Sequence, residues 1–189
     1  MNEPRAGLVE AARAGDAHAF AALVRDTEQG VYNVAYGILG NAQEAQDMAQ
    51  EAYLRAWRAL PTFRGDSAFS TWLYRITVNT CLNRRRQLRA QWNLVDGEDL
   101  MEELPSPAPG PLALTVRRER DEYLWASVGE LPVHYRIVVL LFYQQQMSYA
   151  QIAEVLSLPL GTVKARLNRA RLALARSLAQ VSEKSNAVL

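Results

Sequence analysis

One cysteine, Cys81, and two histidines, His18 and His134, are all the thiol and imidazole groups that 189 residues offer to a metal. A single thiol cannot close an intramolecular disulfide framework, and the three side chains lie too far apart in sequence for any recognisable zinc spacing. No metal and no cofactor is expected. Apolar runs are short as well. The longest, "IVVLLFY" from Ile137 to Tyr143, falls far below the ~20 residues that span a bilayer. The segment "MNEPRAGLVEAARAGD" lacks the apolar core of a signal peptide. A cytoplasmic protein without membrane insertion is the expectation. Catalytic groupings are missing too: no nucleophile beside a base, no carboxylate pair, no glycine-rich phosphate loop. The chain therefore reads as a binding protein and not an enzyme. Strand-like alternation bounded by hairpin turns is also lacking, which leaves an all-α fold.

A net charge of +1 conceals an uneven distribution. Residues 1–90 carry 11 basic and 9 acidic side chains, residues 91–111 carry 0 and 5, and residues 112–189 carry 10 and 6. The acidic middle, "QWNLVDGEDLMEELPSPAPGP", also holds prolines at 105, 107, 109 and 111, which cannot continue a helix. It reads as an acidic, Pro-rich linker joining two small helical domains. The boundaries that follow are 1–90 for the first domain, 91–111 for the linker, 112–180 for the second domain, and 181–189 for a disordered tail.

In the first domain, Asn41 and Glu44 have the spacing of a capping box opening "NAQEAQDMAQEAYLRAWRAL", which Pro61 closes. Ala45, Met48, Ala49, Ala52, Ala56 and Leu60 form its inward stripe. The other face mixes Asp47, Glu51 and Arg58, with Gln50 at its edge, but also carries Leu54 and, nearby, Trp57. Such a patch of acids and large apolar groups suits a protein partner, although scattered exposed apolar residues are ordinary. A second helix runs through "AFSTWLYRITVNTCLNRRRQLR". Phe69, Leu73, Ile76 and Thr80 face a core, while Trp72, Arg75, Asn79, Asn83 and Arg86 share an adjacent stripe. An aromatic, cations and amides are the groups that stack on unpaired bases, hold phosphates and bond base edges. The run Arg84 to Arg86 adds charge, with a solvated helix end as its alternative. The loop of Phe63, Arg64, Gly65, Asp66 and Ser67 has the polar groups to hold an extruded base, or is a plain inter-helix turn.

The second domain holds "LPVHYRIVVLLFYQQQ", with the apolar density of a buried helix, and then "MSYAQIAEVLSLPLGTVKARLNRARLAL". Ser148 with Gln151 predicts a helix start, a short helix spans Tyr149 to Leu156, and "SLP" turns into a longer helix beginning near Leu160. This is helix-turn-helix spacing. Val163, Leu167, Ala170 and Leu174 cluster within about 60° on the helical wheel and face the core. Ala165, Asn168, Arg169 and Arg176 point away, Lys164 and Arg171 lie to one side, and Arg166 lies to the other. From Leu160 to Val181 there is no acid. A helix solvated for its own sake interleaves both signs, so this face suits a polyanion.

These blocks together resemble the bacterial extracytoplasmic-function (ECF) sigma factors of the sigma-70 family, the two-domain specificity subunits of RNA polymerase. "AQDMAQEAYLRAWRAL" followed by "FRGDSAFSTWLYRITVNTCLNRRR" is similar to the family's region 2, and "LPVHYRIVVLLFY" with the helix-turn-helix block is similar to region 4. The resemblance implies a protein that binds core polymerase, recognises minus-thirty-five and minus-ten promoter elements, and helps melt DNA for initiation. It assigns Asp47, Gln50, Glu51, Leu54 and Trp57 to the clamp helices of the largest polymerase subunit. Phe63, Arg64, Gly65, Asp66, Ser67, Phe69, Trp72, Arg75, Asn79, Asn83 and Arg84 would meet the minus-ten element. Lys164, Ala165, Asn168 and Arg169 would lie near base edges of the minus-thirty-five element, with Thr162, Arg166 and Arg171 near phosphates. Implied partners are core polymerase, including the beta flap, promoter DNA and an anti-sigma factor. Three residues depart from the family pattern. Gln46 stands where an acid is usual, Ser157 where the turn commonly has Gly, and Ala165 where Ser is frequent.

Overall fold

The computed structural model describes the backbone of residues 3–96 and 124–186, with side chains from 6 to 91 and from 124 to 179. It divides into two compact units, each helical, and no strand occurs among the described residues. The first unit contains α1 (Glu3–Arg13), α2 (Ala17–Leu39), α3 (Ala42–Ala59), a 3₁₀ turn (Leu60–Thr62) and α4 (Phe69–Asp96). The second contains α5 (124–130), α6 (Val133–Val139) with a π-helical turn (Leu140–Gln144), α7 (Tyr149–Leu156) and α8 (Leu160–Asn186).

Both long helices overrun the boundaries that charge suggested. α4 continues six residues past position 90, through the first part of the segment read as linker, because nothing between Phe69 and Asp96 breaks a helix and Gly97 follows. α8 likewise continues to Asn186, so most of the 181–189 tail is helical. No Gly or Pro interrupts it after Gly161. Charge patterning marks where a chain is solvated, and a helix ends at its breaker. The acidic and proline-rich residues 97–111, and the start of the second domain at 112–123, lie outside the described residues.

In the first unit α2 is central and packs on α1, α3 and α4. Asp16 caps it by accepting from the backbone N–H groups of His18 at 2.8 Å and Ala19 at 3.2 Å. Gly40 closes it with φ 70°. α2 buries Val31, Val34 and Ile38, and α4 buries Leu73, Val78 and Cys81. The fully buried positions of α3 are Ala45, Ala52 and Ala56, whose small side chains allow close packing of backbones while the opposite face stays open. Burial pushes the Cys81 thiol up to about 12, so it behaves as a small apolar filler. A second cluster joins Val9 and Ala12 of α1 to Ala19, Leu23, Leu60 and Phe63. α1 itself has weak sequence signals, and its role is to cover this end.

Arg85 is a core residue. Only 8% exposed, it donates to the Ile38 carbonyl at 2.8 Å, satisfying an acceptor at the C-terminal end of α2 and meeting the negative end of that helix.

In the second unit, Ile137 to Leu141 are all buried, and α8 contributes Val163, Leu167, Ala170 and Leu174 as its wheel predicts. Arg136 folds back to the Leu131 carbonyl at 2.8 Å. The segment read as one buried helix widens at its end: the N–H of Gln145 reaches the Leu140 carbonyl, five residues back, at 3.1 Å. The widened turn carries Phe142 half-buried and Tyr143 exposed. The Ser148 capping box forms reciprocally, with Ser148 N–H to Gln151 Oε1 at 2.8 Å and Gln151 N–H to Ser148 Oγ at 3.3 Å.

α7 ends in a Schellman closure. The Leu158 N–H bonds the Ala153 carbonyl at 2.9 Å and the Ser157 N–H bonds that of Glu154 at 3.2 Å, with Ser157 at φ 52°. Serine has a Cβ where the left-handed region favours none. Relief of about 1–2 kcal/mol of strain, less the extra chain entropy of glycine, leaves Ser157→Gly stabilising by about 0.5–1 kcal/mol. Its unfolding midpoint in urea should rise, and an unchanged or lower midpoint would show the turn to be strain-free with serine.

Candidate nucleic-acid interface

On α3, Leu54 is 50% exposed and stands as a ridge between two open clefts. The cleft toward α2, about 490 Å³, is walled by Phe20, Val24, Tyr53 and Trp57. The cleft toward α4, about 400 Å³, is polar, with Asp47, Gln50 and Glu51 on one side and Asn83, Arg84 and Gln87 on the other. Trp57 is half-buried, its ring 4.9 Å from that of Phe20, so it builds the apolar wall while Leu54 projects. Tyr53 shares a 2.9 Å hydrogen bond with Thr27, and burial pushes its hydroxyl up to about 12. Glu51 is tied to Arg55 at 2.6 Å and Asp47 accepts from Gln43 at 3.2 Å, and Asp47, Gln50 and Arg58 are the exposed polar members of the patch.

The residues expected to form a base pocket divide into a scaffold and a rim. Phe63, expected in an open loop, is 6% exposed. Its ring lies 4.9 Å from Trp72 and 6.3 Å from Phe69, which are themselves 5.8 Å apart. Apolar burial of three neighbouring aromatic rings outweighs their display to solvent, so Phe63 is a core residue and Trp72 is partly committed to packing. Arg64, Gly65 and Asp66 remain exposed and Ser67 half-buried. Gly65 takes φ 76°, and Arg64 pairs with Asp66 at 3.1 Å. Along α4 the exposed stripe continues through Arg75, Asn79, Asn83 and Arg86.

Arg84 does not belong to that stripe. Its guanidinium forks onto Glu44, Nε to Oε2 at 2.7 Å and Nη2 to Oε1 at 2.8 Å, linking α4 to the first turn of α3. The same pair alters the α3 cap. Asn41 accepts from the Glu44 N–H at 3.0 Å as its spacing predicts, but the Glu44 carboxylate is taken by Arg84. Three consecutive arginines thus have three partners: a carboxylate for Arg84, a carbonyl for Arg85, and for Arg86 the Asn83 amide oxygen at 2.7 Å.

On α8, Lys164, Ala165, Asn168, Arg169 and Arg171 are exposed, while Thr162 and Arg166 are half-buried. One flank opens into a cleft of about 440 Å³ lined by Thr162, Ala165, Arg166 and Arg169 together with His134 and Tyr135 of α6. Neither His134 nor Tyr135 is visible to a reading of α8 alone. On the other flank Arg171 lies against the π turn. Its Nε donates to the Tyr143 hydroxyl at 2.8 Å, and its guanidinium carbon sits 5.5 Å from the Phe142 ring centre and 5.7 Å from that of Tyr143. The Tyr143 hydrogen bond, with a further contribution from Tyr149, holds the guanidinium pKa above its ordinary value.

A long basic α8 flanked by two cation-bearing edges, and a separate unit with an apolar ridge beside an amide-rich stripe, match known proteins across most of the chain. The Sigma-70 region 2 family model matches residues 23–91, and the Sigma-70 region 4 model matches residues 121–174. The chain is 34% identical over 176 residues to the ECF RNA polymerase sigma factor SigW of Bacillus subtilis, covering 90% of this chain and 94% of that protein. It is 37% identical over 181 residues to the RNA polymerase sigma-H factor of Pseudomonas aeruginosa, covering 90% and 92%. The chain belongs to the ECF sigma factors of the sigma-70 family. It is a promoter-recognising subunit of RNA polymerase. Among solved structures it resembles the sigma factor RpoE in complex with the anti-sigma factor NepR from Bartonella quintana, with a TM-score of 0.70 at 21% identity, covering 85% of this chain and 96% of that one. It also resembles CnrH in complex with the cytosolic domain of CnrY, with a TM-score of 0.67 at 24% identity, covering 92% and 96%. These two likenesses carry the fold. Among the described residues no helix is long and apolar enough to cross a membrane.

The Glu44–Arg84 pair generates a pH test of region 2. Arg84 holds the Glu44 carboxyl below its ordinary range, first through the hydrogen bonds, with burial opposing. Because the folded pKa is depressed, the contribution is present above the ordinary glutamate range and is lost as pH falls through the lowered folded value. The Arg84 and Glu44 side chains are 31% and 23% exposed, so solvent screening limits the pair to about 0.5–1 kcal/mol. Glu44→Gln should destabilise the protein by that amount at neutral pH and match wild type in strong acid. An equal deficit at both pH values in urea titrations would mean that the charge is irrelevant.

Proposed function

We propose that region 2 docks on the clamp helices of the largest polymerase subunit through the Leu54 ridge, with Asp47, Gln50 and Glu51 beside it and Trp57 supporting its base. The apolar projection beside acids is what supports this surface, since a side chain half out of water with a cleft on each side has the shape of an interface anchor. The Arg64 to Ser67 rim with Arg75, Asn79 and Asn83 then receives unpaired bases of the minus-ten element, while the Phe63, Phe69 and Trp72 cluster holds the rim in shape. Capturing an extruded base favours the melted state, because flipping costs a few kcal/mol that the pocket offsets. Region 4 enters the major groove of the minus-thirty-five element along α8, and its contact with the beta flap keeps it at the right spacing. The observation that carries this reading is α8 itself: a sealed apolar stripe on one side and, from Leu160 to Val181, an exposed cationic face without acids on the other. The protein acts in the cytoplasm, without catalytic chemistry of its own. An anti-sigma factor that covers the exposed Leu54 ridge would silence it, a reading supported by the complex of a structural relative with an anti-sigma factor.

Two substitutions test the two surfaces. Leu54→Asp places a charge on the docking ridge while sparing the buried Ala52 and Ala56, so core affinity should fall by about 2 kcal/mol with the fold intact. Unchanged affinity in a fluorescence titration against core polymerase would remove Leu54 from the interface. In the holoenzyme, Arg169→Ala should cost about 1–3 kcal/mol and relax preference at one upstream base pair if its guanidinium forks onto a guanine. Equal weakening on every upstream single-base variant would show that Arg169 reads no base.

A further inference from the structure

Arg171 is a cation of the α8 face that the protein anchors from a different helical segment. An exposed arginine ordinarily samples many rotamers, and holding it still on a phosphate costs side-chain entropy at the moment of binding. Here that ordering is done in advance. Tyr143 takes the Nε hydrogen at 2.8 Å, and the Phe142 and Tyr143 rings lie 5.5 and 5.7 Å from the guanidinium carbon. Tyr149 in turn stacks on Phe142 with ring centres 5.2 Å apart. Tying up Nε leaves N–H groups on the terminal nitrogens to donate outward, and the arginine remains exposed. The π turn is what brings these rings into play: residues 137–141 are buried, and the wide turn that follows displays Tyr143, 44% exposed, toward α8.

We infer that Tyr143 is a positioning residue for DNA binding, holding Arg171 in the one orientation in which its terminal nitrogens meet a backbone phosphate beside the bases that α8 reads. The inference rests on the proposed seating of α8 in the major groove. It makes the end of α6 part of the DNA-recognition apparatus although Tyr143 itself need touch no nucleotide. It also explains why an aromatic pair ends the buried run.

The test is a double-mutant cycle in the holoenzyme on a promoter fragment, measured across salt. Tyr143→Phe keeps the ring over Arg171 and removes only the hydroxyl. It should weaken binding about threefold to tenfold with a near wild-type salt slope, since the charge still reaches the phosphate. Arg171→Ala should weaken binding on all upstream sequences alike and flatten the salt slope by about one unit. Added to Arg171→Ala, Tyr143→Phe should have no further effect. The inference is overturned if Tyr143→Phe leaves wild-type binding unchanged, or if it weakens binding equally with and without Arg171, which would make the hydroxyl a direct DNA contact or a fold determinant. Arg169→Ala in the same series separates the two levels of argument. If it relaxes base preference while Arg171→Ala changes nothing, the groove reading stands and the Tyr143 role falls. If both are silent, the groove reading falls with it.

Discussion

The exposed side chains of α3, α4 and α8 ride on helices whose other sides are sealed, and that division is the constraint on which the rest depends. α8 has to place Val163, Leu167, Ala170 and Leu174 in a core and has no freedom to rotate without burying charge. Fixing the apolar stripe therefore fixes the azimuth of Ala165, Asn168 and Arg169 to within the slack of packing. α3 obeys the same rule with alanines. Its shallow buried stripe seats the helix close to its neighbours, and the price is little apolar burial, which leaves Leu54 free to project. A helix held by larger residues would stand farther off and would widen the clefts on either side of that ridge.

Arginine shows how position, more than residue type, decides a role. Arg84 and Arg85 are adjacent in sequence and about 100° apart on the helix, enough to send one to a carboxylate on α3 and the other to a carbonyl at the end of α2. Both join helices across the region 2 fold, so charge that composition assigns to nucleic acid is spent on tertiary structure. Arg75 and Arg86, which share a face about another 100° round the helix, keep their exposure. Arg171 is a third type, in which aromatic rings and a hydroxyl orient a cation that is still open to solvent.

The fold was legible wherever a periodic stripe met a breaker. The helix-turn-helix bounds, the Ser148 and Gln151 box and the α8 core stripe follow from local rules that act within a few residues. What escaped depended on contacts distant in sequence. Nothing in "NRRRQ" distinguishes the buried Arg85 from its neighbours, because its partner Ile38 lies 47 residues away. Phe63 has the polar neighbours of a loop, yet its burial is decided by α1 and α4. The π turn has no composition signature. Only the aromatic pair after a buried run hints that the register shifts there. α4 and α8 run past residues 90 and 180 because helix propensity, and not a change of charge, sets where a helix ends.

The near-zero net charge has a consequence for how the two units share work. A strongly cationic sigma factor would be held by bulk DNA through counterion release at any sequence. Here the basic face of α8 is a minority of the surface, set against acids on α3 and a purely acidic stretch between residues 91 and 111. In the proposed docking, each DNA contact is weak by itself and becomes effective only when polymerase holds both units on one promoter, where the second contact forms at high effective concentration. Pre-ordering Arg171 suits that regime. In that docking it would raise phosphate affinity by lowering the entropy lost on binding, without adding charge that would draw the free protein to DNA at large.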